Sequence, residues 1–456
     1  MGLGLNGGGL ATARFFAENG AEVTVTDKKT EEELRPSLQA LNEYKGIRYV
    51  LGRHEIDDFR NADVVIKNPG VKQTGNEFLA VASCIETDIS VFLRFSPAPI
   101  LAITGSKGKS STVSALYFGL RELGYPAFLG GNITVSPLTF LDDTTAETPV
   151  VLELSSWQLG DLRGRGLLKP KIAILTTIIP DHQNWYGGME PYVADKKVIY
   201  ENQDETCHLL CNHDDEWGSV FAGEAHARVH WYSTHPLQED IPGAWITEDG
   251  RGIMRRPVGP DADHTKWEEY GILPQQIAVP GIHMRQNLLN AAQALVLFGA
   301  EPSRVSETLA RYPGIEHRLE FFYEKDGIRF YNDSAATVPE AAAAAIQAFD
   351  RPVILLTGGT DKKLDFTPLA IKAHLAKKIF LLAGTGTDKL IPLLRERKIG
   401  FEGPFPDLAG LVIAARKTAE QGDIIVFSPG ATSFGLFKNE FDRGNQFRTI
   451  VKSTVC

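Results

Sequence analysis

The stretch "ITGSKGKSS", residues 103–111, decides how this chain is read. Its first residues continue "SPAPILAITG", an apolar run with the character of a buried strand, and its last residues lead into a helical pattern that runs to residue 124. Between strand and helix, the backbone amides from Gly105 through Ser106, Lys107 and Gly108 to Lys109 can curl around a phosphate at the helix start. Lys109 is placed to reach a transferred phosphate and Ser110 to ligate magnesium, with Ser111 counted among the cofactor-binding residues of the loop. The loop is shorter than the common G-x-x-x-x-G-K-[ST] pattern, so a glycine-rich turn without ligand is the plain alternative. Lys107 reads as a solvated charge. The loop says that phosphate is handled; the acceptor must be sought elsewhere.

Working outward, strands and helices alternate along most of the chain. "MGLGLNGGGLATARFFAENGAEVTVTD" gives a glycine cluster, a helix ended by Gly20 and a strand ending in Asp27, the later part of a nucleotide-binding βαβ unit. The strand that should precede those glycines is missing. Either it is reduced to a stub or Met1 is an internal start; the second is expected, because a parallel sheet without its first strand leaves backbone groups unpaired. "ADVVIKNPG" (62–70), "PVVLELSSWQL" (149–159) and "PKIAILTTIIPDH" (170–182) read as further strands, "EPYVADKKVIYENQ" (190–203) and "NLLNAAQALVLFGA" (287–300) as helices, and 238–270, rich in Pro, Gly and charge, as hairpins or an insertion. A last α/β series follows in "GIRFYNDSAA", "RPVILLTGGTDKK", "AKKIFLLAGTGT" and "DIIVFSPGATS", each strand finishing in small or polar residues.

At 456 residues the chain is too long for one ordinary core. A hydrophobic content of 43% with 23% charged residues is that of a globular protein, and a formal charge of −10 argues against a broad surface for nucleic acid or anionic lipid. No apolar run has spanning length and no signal peptide is evident, so neither a membrane nor a nucleic-acid partner is expected. Four scattered cysteines suit a reducing cytoplasm, the expected location. "CHLLCNHDD" (207–215) could suggest a metal site, but reads better as a short buried strand and its exit turn, since no second ligand cluster accompanies it.

Two further stretches carry chemistry. Glu153, at the end of "VVLELSS", is a hard-oxygen candidate for magnesium, and a carboxylate in so apolar a strand needs a partner. Asp181 and His182 sit at the next strand end. With Lys109 and Glu153 they imply one cleft.

Taken in order, "GSKGKSS", "GGNI", "LELSSWQL", "PDH", "ADKKVIYEN", "NLLNAA", "EHRLE", "NDSAAT", "GGTDKK" and "SPGATSFGLFKNEFDRG" resemble the Mur ligases over essentially the whole chain. The resemblance implies three α/β domains: a Rossmann-like UDP-binding domain (1–90) whose first strand is truncated, a central P-loop ATPase-like domain (91–298) and a Rossmann-like amino-acid-binding domain (299–456). It further implies that ATP phosphorylates the terminal carboxylate of UDP-N-acetylmuramoyl-L-alanine, that the amine of D-glutamate attacks the acyl phosphate, and that a tetrahedral intermediate expels phosphate. A monomer is expected.

By the same resemblance, Lys109 binds the ATP phosphates, Ser110 and Glu153 one magnesium ion, and His182 takes part in a second. Lys196 is expected to be carbamylated, since an ammonium near two Mg²⁺ ions is repelled whereas a carbamate supplies an anionic oxygen. Without the family, Lys196 and Lys197 both read as surface charges. Asn287, Asn290, Arg318 and Asp333 match the nucleotide contacts, Arg318 for phosphate and Asp333 for ribose. Asn132 matches an acceptor contact, and Gly4, Leu5, Asn6, Gly7, Asp27 and Asn68 match the surroundings of the UDP group; on its own Asp27 could equally be a capping carboxylate. Thr337, Lys362, Ser433 and Phe434 match the D-glutamate pocket.

The chain departs from the family pattern at Ala335, where many members carry lysine, at Thr177, where asparagine is common, and at Glu440, where an aromatic residue often stands. These bear on the amino-acid pocket more than on the phosphate chemistry. A sibling ligase adding another amino acid, or extending folate with glutamate, is the main rival reading. A dehydrogenase leaves "GSKGKSS" and Glu153 unexplained, and a catalytically silent UDP-sugar binder sits poorly with retained Lys109, Glu153, His182 and Lys196.

Overall fold

A computed structural model describes residues 1–5, 7–257, 267–433 and 435–454, which form two compact units. The first comprises Met1–Leu273 with Asn287–Thr308, the second Pro274–Gln286 with Leu309–Cys456.

The first unit is built on a nine-stranded sheet. In spatial order its strands are Trp267–Leu273, Gly252–Pro257, Gly243–Ile246, Arg228–Ser233, His208–Asn212, Ile172–Leu175, Ile100–Thr104, Val150–Glu153 and Phe128–Gly131. From Gly243–Ile246 to Phe128–Gly131 every pairing is parallel, while the strands at the far edge pair antiparallel. Those antiparallel strands are the hairpins foreseen within 238–270. The strands Ile100–Thr104, Val150–Glu153 and Ile172–Leu175 are buried throughout, as their unbroken apolar runs require of strands covered on both faces. Their succession places the loops after Thr104, Glu153 and Leu175 side by side at one edge, where parallel α/β sheets hold ligands. His208–Asn212 is likewise a strand with Cys207 and Cys211 buried beside it, and burial raises the Cys211 thiol to about 12.

Ahead of this sheet, Thr24–Asp27 pairs with Arg48–Leu51 and Val65–Ile66 with Ile85–Glu86, both parallel. Residues Met1 and Gly2 bridge the two pairs. The Met1 amino group donates to the Ile66 carbonyl at 2.8 Å, Asn68 N–H to the Met1 carbonyl at 3.0 Å and Gly2 N–H to the Thr26 carbonyl at 2.8 Å. A stub thus stands where the sequence lacks a strand, beside a cavity of about 570 Å³ that Thr24, Val25, Val65 and Ile66 help to line.

The second unit holds a six-stranded sheet in the order Glu320–Lys325, Ile328–Asn332, Ile424–Phe427, Ile354–Gly358, Lys378–Leu382 and Glu402–Phe405, parallel except for the first pairing. The edge strand Glu402–Phe405 has no apolar run and went unread in the sequence. Pro274–Gln286 belongs to this unit although the helix Ile282–Phe298, which the sequence placed at 287–300, begins within it; Tyr331 hydroxyl donates to the Ala278 carbonyl at 2.8 Å.

Candidate active site

In the first unit the phosphate loop is braced by the loop of the next strand. Ser106 and Lys107 N–H groups donate to the Thr177 carbonyl at 2.8 and 3.3 Å. The Ser106 hydroxyl donates to the Ile179 carbonyl at 2.8 Å, accepts from Ile179 N–H at 3.0 Å and lies 2.9 Å from the Tyr192 hydroxyl. Gly105 and Gly108 are required by close approach: a Cβ on Gly105 would stand 1.9 Å from Thr176 Oγ1, and one on Gly108, whose φ is +94°, 2.6 Å from Asn287 Oδ1. Gly108 passes directly into the helix Lys109–Glu122, whose free N–H groups open on the loop.

Two lysines meet there. Lys109 Nζ donates to the carbonyls of Gly105 at 3.0 Å and Ser106 at 3.1 Å. Lys196 Nζ donates to the same Gly105 carbonyl at 2.8 Å and lies 4.5 Å from the centre of the Tyr192 ring. Lys196 is 1% exposed. Burial above all, then the nearby Lys109, holds its amine well below the ordinary lysine value. Burial also lowers Lys109, with Glu153 opposing. Lys197, by contrast, pairs with Glu224 at 2.6 Å and is partly exposed, so the reading of both lysines as surface charges holds only for it.

Glu153 ends its strand fully inside the protein. Asn132 Nδ2 donates to Oε1 at 2.9 Å, and Asn132 N–H donates to the Glu153 carbonyl, also at 2.9 Å. Oε2 is buried and has no hydrogen-bond partner among the described residues. A buried carboxylate oxygen left without a donor is costly, and a cation is what it lacks. Together with the Ser110 hydroxyl at the start of the adjacent helix, this is a hard-oxygen set suited to magnesium.

His182 has a left-handed backbone (φ 51°), and its ring lies 4.9 Å from that of Trp157. Lys107 is exposed and 3.7 Å from Asp181, in keeping with a solvated charge. Asn287 Oδ1 lies 3.4 Å from the Thr112 hydroxyl, and Asn290 is buried near the Tyr232 hydroxyl. Asp27 binds two loop amides: Oδ2 accepts from Gly4 N–H at 3.0 Å and Oδ1 from Lys29 N–H at 2.9 Å. Asn68 Oδ1 accepts from Gly70 N–H at 3.1 Å, Leu5 is exposed and Gly7 has a positive φ. Asn6 and Phe434 lie outside the described residues.

In the second unit, Asp333 is buried; its carboxylate accepts from Leu319 N–H at 3.1 Å and from the Ser428 hydroxyl at 2.6 Å. Burial raises it to about 7. Arg318 and Lys362 are exposed, Thr337 is half-buried and Ser433 is buried. The sequence reading missed Arg443, which is fully buried, and the ion pair of Lys67 with Asp161 at 2.6 Å. Neither carries a local signal: one lysine after a strand and one arginine in a polar helix look like surface residues until the chain is folded.

Comparison with known proteins gives a consistent picture. Residues 1–91 match the family described as Mur ligase MurD-like, N-terminal domain, residues 103–295 the Mur ligase middle domain, and residues 317–430 the Mur ligase glutamate ligase domain. The chain is 46% identical to the UDP-N-acetylmuramoylalanine–D-glutamate ligase of Treponema pallidum, covering 99% of this chain and 96% of that one. It is 41% identical to the enzyme of that name from Roseiflexus, covering 99% and 97%. The crystal structure of UDP-N-acetylmuramate-alanine ligase MurC from Thermotoga maritima shares the fold, with a TM-score of 0.58 at 19% identity over 99% of this chain and 98% of that one. So does the MurF ligase of the same organism in complex with ADP, with a TM-score of 0.55 at 16% identity over 98% and 99%.

Proposed function

This chain belongs to the Mur ligases, and we propose on that footing that it joins D-glutamate to UDP-N-acetylmuramoyl-L-alanine at the expense of ATP, in the synthesis of peptidoglycan precursors. The observation that carries the choice of amino acid is the full-length identity to D-glutamate ligases, 46% and 41%, against 19% or less for the MurC and MurF structures.

In the first step a carboxylate oxygen of the acceptor's alanine attacks the γ-phosphorus of ATP and the bond to ADP breaks, leaving an acyl phosphate. In the second, the D-glutamate nitrogen attacks the carbonyl carbon. The tetrahedral intermediate then loses phosphate and a proton to give the amide. A carboxylate is a poor electrophile and phosphate a good leaving group, which is why the first step is needed.

The loop amides from Gly105 to Lys109 cradle the phosphates, and Lys109 leaves its resting carbonyls to follow the transferred group. Ser110 and Glu153 would hold one magnesium ion, a role the unpartnered Glu153 Oε2 supports, and His182 and Lys196 would belong to a second site. The chemistry such ions would supply is neutralisation of phosphate charge. A deprotonated, buried Lys196 amine is a nucleophile for CO₂, forming an N–C bond and releasing a proton, which turns a misplaced cation into an oxygen ligand. Asn132 orients Glu153. Asn287, Asn290, Arg318 and Asp333 are assigned to the nucleotide, Gly4, Leu5, Asn6, Gly7, Asp27 and Asn68 to the UDP group, and Thr337, Lys362, Ser433 and Phe434 to D-glutamate. The domain limits 1–90, 91–298 and 299–456 serve this division, and we place the enzyme in the cytoplasm as a monomer. No described helix is long and apolar enough to cross a membrane.

The test is ADP release with UDP-N-acetylmuramoyl-L-alanine, Mg²⁺ and, in turn, D-Glu, L-Glu, D-Asp, L-Lys and meso-diaminopimelate. Release with D-Glu alone is expected. Release with another member of the panel instead would move the chain to a sibling activity.

A further inference from the structure

Arg443, on the helix Glu440–Thr454, is 0% exposed, yet no carboxylate lies within ion-pair distance of it among the described residues. Among the described residues its guanidinium donates to neutral oxygens, and the carboxylates of Glu440 and Asp333 act on it from beyond ion-pair distance. Nε reaches the Ser334 hydroxyl at 3.0 Å, Nη2 the Ser334 carbonyl at 2.7 Å, and Nη1 the Ala431 carbonyl at 3.0 Å. Burying a cation without a directly bonded carboxylate is costly. Such expense in a folded chain usually marks function rather than stability.

The groups it holds say where that function lies. Ser334 follows the strand Ile328–Asn332, and Ala431 follows the neighbouring strand Ile424–Phe427. Arg443 therefore clamps two loops at the carboxyl edge of the sheet, a second bond between them running from Gly430 N–H to the Ala336 carbonyl at 2.9 Å. A third loop is tied in one residue further on. Thr432 N–H donates to the Thr360 carbonyl at 3.0 Å, and a Cβ on Gly359 would lie 3.9 Å from Arg443 Nη1. Thr337, Lys362 and Ser433 stand on these three loops, each within three residues of an atom just named.

We propose that Arg443 is the positioning residue of the amino-acid pocket: it fixes the loops that carry Thr337, Lys362 and Ser433, between which the dicarboxylate is held. The proposal rests on the ligase reading above and deepens it.

The test is steady-state kinetics of Arg443→Lys and Ser334→Ala, with folding checked by thermal melting. For Arg443→Lys, KM for D-glutamate rises by about tenfold or more while KM for ATP and for the UDP-linked acceptor stays within about twofold. Ser334→Ala shows the same split, smaller, and serves where Arg443→Lys does not fold. Equal changes in all three KM values, or unchanged D-glutamate KM in both folded variants, overturns the proposal. Absence of D-glutamate-dependent ADP release in the wild-type protein would instead overturn the ligase reading itself.

Discussion

Lys109 and Lys196 converge on one oxygen: their Nζ atoms lie 3.0 and 2.8 Å from the carbonyl of Gly105. Two amines that share an acceptor inside a protein repel one another if both are charged, and Lys196, the more buried, is held well below the ordinary lysine value, by burial first and by Lys109 second. The folded chain then binds fewer protons than the unfolded chain, in which lysine titrates near 10.5. Stability should therefore rise with pH toward that value. In CO₂-free buffer, the unfolding midpoint of the wild type is expected to climb as pH rises toward the unfolded value of 10.5, and Lys196→Met to flatten the climb. The same variant should gain about 1–2 kcal/mol near neutrality and lose ligase activity. A wild-type midpoint that falls over this range would show Lys196 to be charged in the fold.

Glu153 offers a sharper separation of stability from activity. Oε1 is held by Asn132, whereas Oε2 meets no donor among the described residues. In Glu153→Gln the Asn132 bond can persist through the amide oxygen, so stability should change by no more than about 1 kcal/mol. Activity should fall on the order of 100-fold, because the anionic oxygen that answers a cation is gone. Melting with and without Mg²⁺ and ATP checks the cause: the shift seen in the wild type should shrink in the variant. An undiminished shift would place the metal elsewhere.

How much of this was legible before folding differs from residue to residue. Gly105, Gly108 and Lys109 announce themselves because a phosphate loop is local: strand, turn and helix start are consecutive, and each glycine is needed where it stands. The buried strands around it were legible for the same reason, as apolar runs with polar ends. Lys196 was not. Its helix, Met189–Lys197, has two adjacent lysines and no apolar stripe that distinguishes them, and only packing against Tyr192 and Gly105 hides one. The family resemblance selected it where periodicity could not. Arg443 was missed for a kindred reason: the loops it clamps lie more than 100 residues upstream at Ser334 and 12 residues away at Ala431.

Gly108 couples the phosphate loop to Asn287. Its φ of +94° is left-handed, and an added Cβ would meet Asn287 Oδ1 at 2.6 Å. Gly108→Ala should cost about 1–2 kcal/mol in backbone strain and raise KM for ATP, since the amides that cradle phosphate must turn. Adding Asn287→Ala removes the clash but not the strain, so the double variant should recover part of the stability and none of the ATP affinity. Recovery of both would mean that the contact with Asn287, rather than the backbone, dictates glycine at this position.

Asp333 carries the last prediction, with a sign opposite to that of Lys196. Its carboxyl is raised to about 7, chiefly by burial, although Ser428 and Leu319 donate to it. In the unfolded chain an aspartate titrates near 3.8, so between these values the folded chain holds the extra proton. Its contribution to stability is present in full below the unfolded value and is lost as pH rises through about 7. Asp333→Asn keeps the size and the hydrogen-bonding shape of the neutral acid. The variant should match the wild type at about pH 4 and exceed it above about pH 7, with the crossover read from denaturant midpoints across the range. If Asp333 also holds the ribose of the nucleotide, the same substitution raises KM for ATP and leaves KM for D-glutamate unchanged. A wild-type advantage above neutrality would mean that Asp333 is ionised and paired in the folded protein, and Arg443 would then be the cation to which it answers.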